Sequence, residues 1–281
     1  MTKTLLEHLL KLYPTAKRTT LRRMIQSGRV RINRTKARTL TQPIGEKDVI
    51  EINDQRRQHA PRLPSLPIRI VHEDDDILVI DKPAGLLTST VPREKRPTVL
   101  AMVREYLAEK EPRAQVGLIH RLDRDASGLL VFSKNHDAYL SLKRQFFQHD
   151  VDRIYLAVVH GAANPLSGMI DSRLIERADG SVHSTDDPRR GERAVTFYET
   201  ISKNKRLSLL RVKLRTGKKH QIRAHLFERG VPIVNDPVYF KDKKDGSERL
   251  MLASCELILT HPRTGKQMTF KIDPPKQFPL V

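Results

Sequence analysis

Residues 54–67, DQRRQHAPRLPSLP, set three prolines among polar and basic side chains and carry neither a helical nor a strand period. Such a stretch cannot run through a packed sheet or helix, so the chain has to fold as separate pieces on either side of it. The reading is a domain over 1–54, a linker over 55–67 and a second domain over 68–281. Those sizes suit one small and one ordinary domain.

From Ile68 onward short apolar, β-branched runs recur: IRIVHE, ILVID, GLLVFSK, IYLAVVHG, AVTFYETI, LSLLRVKL, ELILTH and MTFKI. Helical patterns interrupt them only occasionally, as at 98–108 and 136–148, which is too irregular for βαβ repetition. The expected class is α+β, a mixed and largely antiparallel sheet with flanking helices. Neither repeats nor low-complexity tracts occur, and 38% hydrophobic residues are enough for a core.

The smaller piece is a compact basic α+β module. Leu5, Leu9 and Leu12 form one apolar helical stripe limited by Pro14. A second helix is expected with Thr19 or Thr20 as its cap, Leu21 and Ile25 on its buried face, and Gly28 ending it before a strand at Val30–Ile32. Arg18, Arg22, Arg23, Arg29 and Arg31 are left beside its other face. Residues 1–62 hold 15 basic and 5 acidic side chains, so +10 of the chain's +19 lies there. Such an excess implies a polyanionic partner, nucleic acid before an anionic membrane, although a merely solvated helix face is the alternative.

No run approaches 18 apolar residues, and Glu7 and His8 interrupt what would be a signal peptide's apolar region, so neither secretion nor membrane spanning is expected. The single Cys255 sits in the apolar run LASCELILT and reads as a small buried hydrophobe in a reducing, cytoplasmic setting. One cysteine and scattered histidines exclude a thiolate zinc module, and no metal is expected.

The densest polar constellation is GLIHRLDRDASGLLVFSKN, residues 117–135. Apolar segments enter and leave it, so His120, Arg121, Asp123, Arg124 and Asp125 occupy a loop held between buried elements, a place suited to a rigid catalytic group. On the residues alone, Asp123 or Asp125 ahead of Ala126-Ser127-Gly128 serves equally well as a turn cap.

HRLDRDASGLL resembles the signature loop of the RluA-type pseudouridine synthases, with Ala126 where that family has Thr. EDDDILVIDKPAGLL (73–87), DRIYLAVVHG (152–161), LRTGKKHQIRAHL (214–226), GVPIVNDPVYF (230–240) and LASCELILTHPRTGK (252–266) follow in the family's order. The N-terminal pattern through SGRVRIN resembles the alpha-L RNA-binding domain first described in a small-subunit ribosomal protein, with Asn33-Arg34 in place of its usual Asn-Gly.

The resemblance implies the pseudouridine synthase fold and cofactor-free isomerisation of uridine in structured RNA, ribosomal and of the large subunit in particular, by a monomer. A tRNA substrate, or a noncatalytic RNA-binding or ribosome-assembly role, are the alternatives. It assigns catalysis to Asp123, Arg223 and Tyr155, with Arg223 as the ion-pair partner of Asp123, a phosphate contact being the alternative, and Tyr155 against the target base, where it would stack or help remove the proton at carbon 5. Arg121 would fill the space left by the flipped base. Lys82, Lys218, Lys219 and His220 would line the cleft and contact phosphates, and His120 joins these RNA-side candidates while suiting a loop-shaping role. Arg22, Arg23, Arg29 and Arg31 would hold RNA from the N-terminal module.

Overall fold

A computed structural model describes residues 3–14, 16, 18–45, 47–52, 68–90, 96–111, 113–240 and 249–278. The chain divides into two compact units, Met1–Ser65 and Leu66–Val281. The expected linker at 55–67 lies outside the described residues.

The first unit runs β1 (Lys3–Thr4), α1 (Leu5–Leu12), α2 (Arg18–Gln26), β2 (Val30–Ile32), β3 (Thr35–Lys36), β4 (Pro43–Ile44) and β5 (Ile50–Ile52). A capping box opens α1: the Glu7 N–H donates to Thr4 Oγ1 at 3.4 Å and the Thr4 N–H to Glu7 Oε2 at 3.1 Å. Leu5 and Leu9 meet Leu21, Met24 and Ile25 over Val30 and Ile32 to form its core. Two expectations are corrected. Leu12 ends the stripe exposed, because α1 stops there, and α2 begins at Arg18, so Thr19 and Thr20 lie within it rather than capping it. Asn33 and Arg34 both take positive φ (49° and 66°) in the two-residue turn between β2 and β3, the geometry an Asn-Gly pair would adopt.

The second unit continues with β6 (Arg69–Glu73), β7 (Ile77–Lys82), α3 (Val99–Lys110), β8 (Gly117–Leu118), β9 (Ser127–Ser133), α4 (His136–Gln148), β10 (Asp152–His160), β11 (Ser167–Glu176), β12 (Val182–Thr185), β13 (Glu192–Lys203), β14 (Leu207–Leu214), α5 (Gln221–Glu228), β15 (Leu252–Thr260) and β16 (Gln267–Lys271). Among the described residues these strands form one 11-stranded sheet in the order β12-β11-β13-β14-β10-β15-β9-β7-β6, with β16 beside β15 and β8 beside β9. Every pairing is antiparallel except β15 with β9. The architecture is therefore the α+β class expected from the strand-rich pattern.

Both faces of the central strands are covered, which explains their unbroken apolar runs. Leu78 and Ile80 of β7, with Leu130 and Phe132 of β9, face Val99, Val103 and Leu107 of α3 and Ile222 and Leu226 of α5. The alternate residues Ile77, Val79, Leu129 and Val131 face Leu142 of α4. Thr98 and Asn135 cap α3 and α4 through the N–H groups of Ala101 and Ala138. Cys255 is buried in this core, which pushes its thiol up to about 12, out of reach of thiolate chemistry at neutral pH. No helix among the described residues is long and apolar enough to cross a membrane.

A polar clasp joins the start of β7 to the turn after β15. Asp74 accepts from the Asp76 and Ile77 N–H groups at 2.8 Å and meets His72 at 2.7 Å and His261 at 3.1 Å. Asp76 receives Arg263 at 2.7 and 2.8 Å and Asn135 at 2.8 Å. Burial would raise the Asp74 carboxyl, but the His72 bond and the backbone donors outweigh it and hold the group down at about 2. The stability that this depression supplies is fully present above the ordinary value of 3.8 and is lost as pH falls through about 2. Denaturant midpoints for wild type and Asp74→Asn should therefore differ at pH 5 and converge as pH approaches 2.

Candidate active site

The loop between β8 and β9 is fixed by what lies beneath it. Leu122 and Ala126 are buried on either side of Asp123. Thr88 Oγ1 donates to the Leu122 carbonyl at 2.7 Å and accepts the Leu122 N–H at 3.2 Å, while the Gly85 N–H donates to the Arg124 carbonyl at 2.9 Å. Gly128 has φ +112°, and a Cβ there would come 2.1 Å from the Ser254 carbonyl. Only glycine lets the parallel strand β15 approach so closely behind the loop.

Lys82 corrects an expectation. It does not line the cleft: its side chain is fully buried and its Nζ donates to the carbonyls of Leu86 (2.7 Å), Pro83 (2.8 Å) and Arg124 (3.0 Å). Burial pulls the ammonium down to about 7 against the opposing charges of Asp125 and Asp123. Three carbonyl acceptors match the three N–H groups of an ammonium, so Lys82 ties the DKPAG turn to the Asp123 loop rather than reaching RNA.

Arg223, in the first turn of α5, is the centre of the site. Its Nε and Nη2 donate to the two oxygens of Asp236 at 2.8 and 2.7 Å, and its Nη1 donates to Asp123 Oδ2 at 3.2 Å. Arg223 and Asp236 are both buried, whereas Asp123 keeps an exposed edge. Burial opposes the guanidinium charge, but the Asp236 bonds and both carboxylate charges prevail and raise it. Asp236 also accepts the N–H groups of Val238 and Tyr239 at 2.9 and 3.1 Å, and the Tyr239 ring lies 5.4 Å from the guanidinium carbon. Asp236 was not singled out in the sequence, although it stands in the motif GVPIVNDPVYF. Its signal is the need of a buried arginine for a second carboxylate.

Asp123, Tyr155, Arg223, Arg121, His120, Lys218, Lys219 and His220 all line one cavity of about 1070 Å³. Tyr155 is buried on β10, where desolvation and then the Asp123 charge push its phenol up against the pull of Arg153 and a hydrogen bond with Ser254. Arg121 is exposed at the cavity wall. Lys218 and Lys219 already hold Glu192 (2.6 Å) and Glu176 (2.5 Å). His220 takes left-handed φ (53°) ahead of α5 and meets the Tyr239 hydroxyl at 3.3 Å. Asp125 is engaged by Arg124 at 2.8 and 3.1 Å and does not pair with Asp123.

His120 has the contacts of a loop-shaping residue. It stacks on Phe146, centroids 4.8 Å apart, and its Nε2 accepts the Val131 N–H at 3.2 Å. Burial, with Arg153 and Lys143 nearby, lowers it to about 3. It is a neutral brace of the loop, in keeping with the loop-shaping role, and one face of it lines the cavity. Arg22, Arg23, Arg29 and Arg31 belong to the other unit, where Arg22, Arg23 and Arg31 are exposed and Arg29 is half-buried. Asp74, Asp76 and His261 bring metal-type ligand atoms within 4.8 Å of one another, but the protein donors of the clasp occupy them.

An accessible carboxylate braced by a buried guanidinium, in a basic cleft on a mostly antiparallel sheet, fits an enzyme of the pseudouridine synthase class. Residues 76–228 match the model of the RNA pseudouridylate synthase family, and the chain belongs to that family. It is 34% identical over 232 residues to a ribosomal large subunit pseudouridine synthase D of Zymomonas mobilis, covering 77% of this chain and 72% of that protein. An uncharacterized RNA pseudouridine synthase of Aquifex aeolicus is 28% identical, covering 96% and 89%. The fold is shared with human RNA pseudouridylate synthase domain containing 4, at TM-score 0.63 and 23% identity over 74% of this chain and 89% of that one. The protein is thus an RNA pseudouridine synthase, isomerising uridine within RNA to its carbon-linked form.

The position of Lys82 yields a test. Lys82→Met would leave the Pro83 and Leu86 carbonyls without a donor and the Arg124 carbonyl with the Gly85 N–H alone, so unfolding free energy should fall by about 2–5 kcal/mol while RNA affinity stays within about twofold. Denaturant melts and filter binding check this. Retained stability with lost affinity would return Lys82 to the RNA.

Proposed function

We propose that this enzyme modifies uridine in large-subunit ribosomal RNA, with Asp123 as the reacting carboxylate. The observation that carries the reading is the chain Asp236–Arg223–Asp123, which holds one carboxylate at the cavity on a buried guanidinium. Isomerisation breaks the bond from nitrogen 1 to the ribose and remakes it at carbon 5, so it consumes nothing and needs one group that can act at the sugar or the base. Arg223 is the counter-ion that lets Asp123 stay charged when the base displaces water.

Tyr155 meets the base as a phenol, since burial disfavours its ionised form. It serves as a flat apolar wall and a hydrogen-bond donor. Arg121, exposed on the same loop, fills the gap in the stack with a planar cation. The first unit adds affinity for structured RNA through Arg22, Arg23, Arg29 and Arg31. The ribosomal substrate is supported by relatives named as large-subunit pseudouridine synthases, including those of Zymomonas mobilis and Nitrosomonas europaea.

Mapping pseudouridine in total RNA from cells with and without this protein tests the substrate; an unchanged large-subunit map would overturn it. Tritium release from carbon 5 of labelled uridine tests the role of Asp123. Asp123→Asn should lower turnover by at least about 10³-fold and leave the dissociation constant within about twofold, since phosphate contacts carry binding. Replacing Arg22, Arg23 and Arg31 together by Gln should reduce the slope of log affinity against log salt by up to about three, with the rate at saturating RNA unchanged.

A further inference from the structure

Four long cationic side chains are buried among the described residues, and three have their charge answered. Arg223 has Asp236 and Asp123, Lys134 has Glu73 and Glu111, and Lys82 has three carbonyls. The fourth is Arg153. It is 7% exposed, lies two residues before Tyr155 on β10, and makes no ion pair among the described residues.

The guanidinium is held without being neutralised. Its Nη2 donates to the carbonyls of Thr216 at 3.1 Å and Arg215 at 3.5 Å, and its plane lies 5.5 Å from the Phe146 ring. Its Nε is buried with no acceptor. That leaves Nη1, set against Gly217 so closely that a Cβ there would come within 2.4 Å of it. Arg153 lines the same cavity as Asp123. A buried cation without a counter-ion is unfavourable, and an anionic ligand relieves it.

The surroundings select that ligand. Arg215, Lys218 and His149 share this end of the cavity, and Glu192, the acidic side chain among its lining residues here, is taken by Lys218 at 2.6 Å. Burial and then the charges of Arg153, Arg215 and Lys218 lower the His149 imidazole, as expected in a positive field. Two residues along a strand span about 7 Å, so a group on Arg153 lies about one nucleotide from a base against Tyr155.

We infer that Arg153 is the anchor of a second subsite in the cleft, which binds a phosphodiester of the substrate RNA next to the flipped uridine. The subsite rests on the reading that the cavity takes that uridine at Asp123. It makes Arg153 a substrate-positioning residue: its charge is balanced only when RNA is seated, so register along the backbone is read as the base arrives. Gly217 belongs to the same device, since any side chain there would crowd Nη1.

The test is a cycle between protein and RNA. A hairpin carrying a uridine that the wild type converts is made with single methylphosphonates, each cancelling one backbone charge, at the phosphates within two nucleotides of that uridine. In full-length wild type one position should cost about tenfold in affinity; in Arg153→Met the same replacement should cost less than about twofold, and unmodified RNA should bind about tenfold more weakly with a salt slope smaller by about one. Removing a buried charge for an apolar side chain of similar length should not unfold the protein, and thermal melts check this. Gly217→Ala, which keeps the charge but crowds Nη1, should lose sensitivity to the same phosphate and decides the matter if Arg153→Met does not fold. Equal costs at every position in wild type and variant would overturn the subsite. Absence of tritium release from the unmodified hairpin with wild type would instead overturn the function on which it rests.

Discussion

The buried contact between Arg223 and Asp236 carries the rest of the site. Two charges out of water are tolerable only with near-ideal geometry and further hydrogen bonds, and both are present: a two-point fork and two backbone N–H groups on Asp236. Because two edges of the guanidinium are used up in this way, Nη1 can point in only one direction, toward Asp123. Asp123 thus inherits its position from a buried residue 13 places further along the chain from Arg223.

Much of this organisation was legible in the residues. Central strands such as ILVI and LLVF advertise themselves because both faces are buried, and the loop between β8 and β9 stands out because polar groups crowd between two such runs. Strands β11 and β12 were missed for the opposite reason. Ser167–Glu176 largely alternates exposed and half-buried residues and contains a glycine and three charges, so its pairing with β13 is set by neighbours rather than by its own pattern. Helix α5 was hidden likewise, since HQIRAHL buries Gln221, Arg223 and His225 along with its apolar residues and shows no amphipathic period.

At the site, residue type was a better guide than residue environment. Asp123, Arg223 and Tyr155 meet in one cavity as the motifs implied. Lys82 did not, because a lysine beside a proline-glycine turn reads as an exposed cation, and only the fold shows that three carbonyls converge on it. Arg153 drew no notice for the converse reason: DRIYL looks like an ordinary strand start, and a missing counter-ion is a property of the packed neighbourhood. Asn33-Arg34 shows a turn overriding its residues, with Arg34 held at positive φ where glycine would sit without strain.

The parallel contact of β9 with β15 has a consequence in time. Ser127 and Gly128 lie against Ala253 and Ser254, so the backstop of the loop bearing Asp123 comes from more than a hundred residues downstream. Closing a contact of such sequence separation is a late and slow event in folding. On the ribosome, the nascent chain can complete its first unit long before the loop bearing Asp123 has anything to rest against. An enzyme built in this order lacks the support of that loop until β15 has been made.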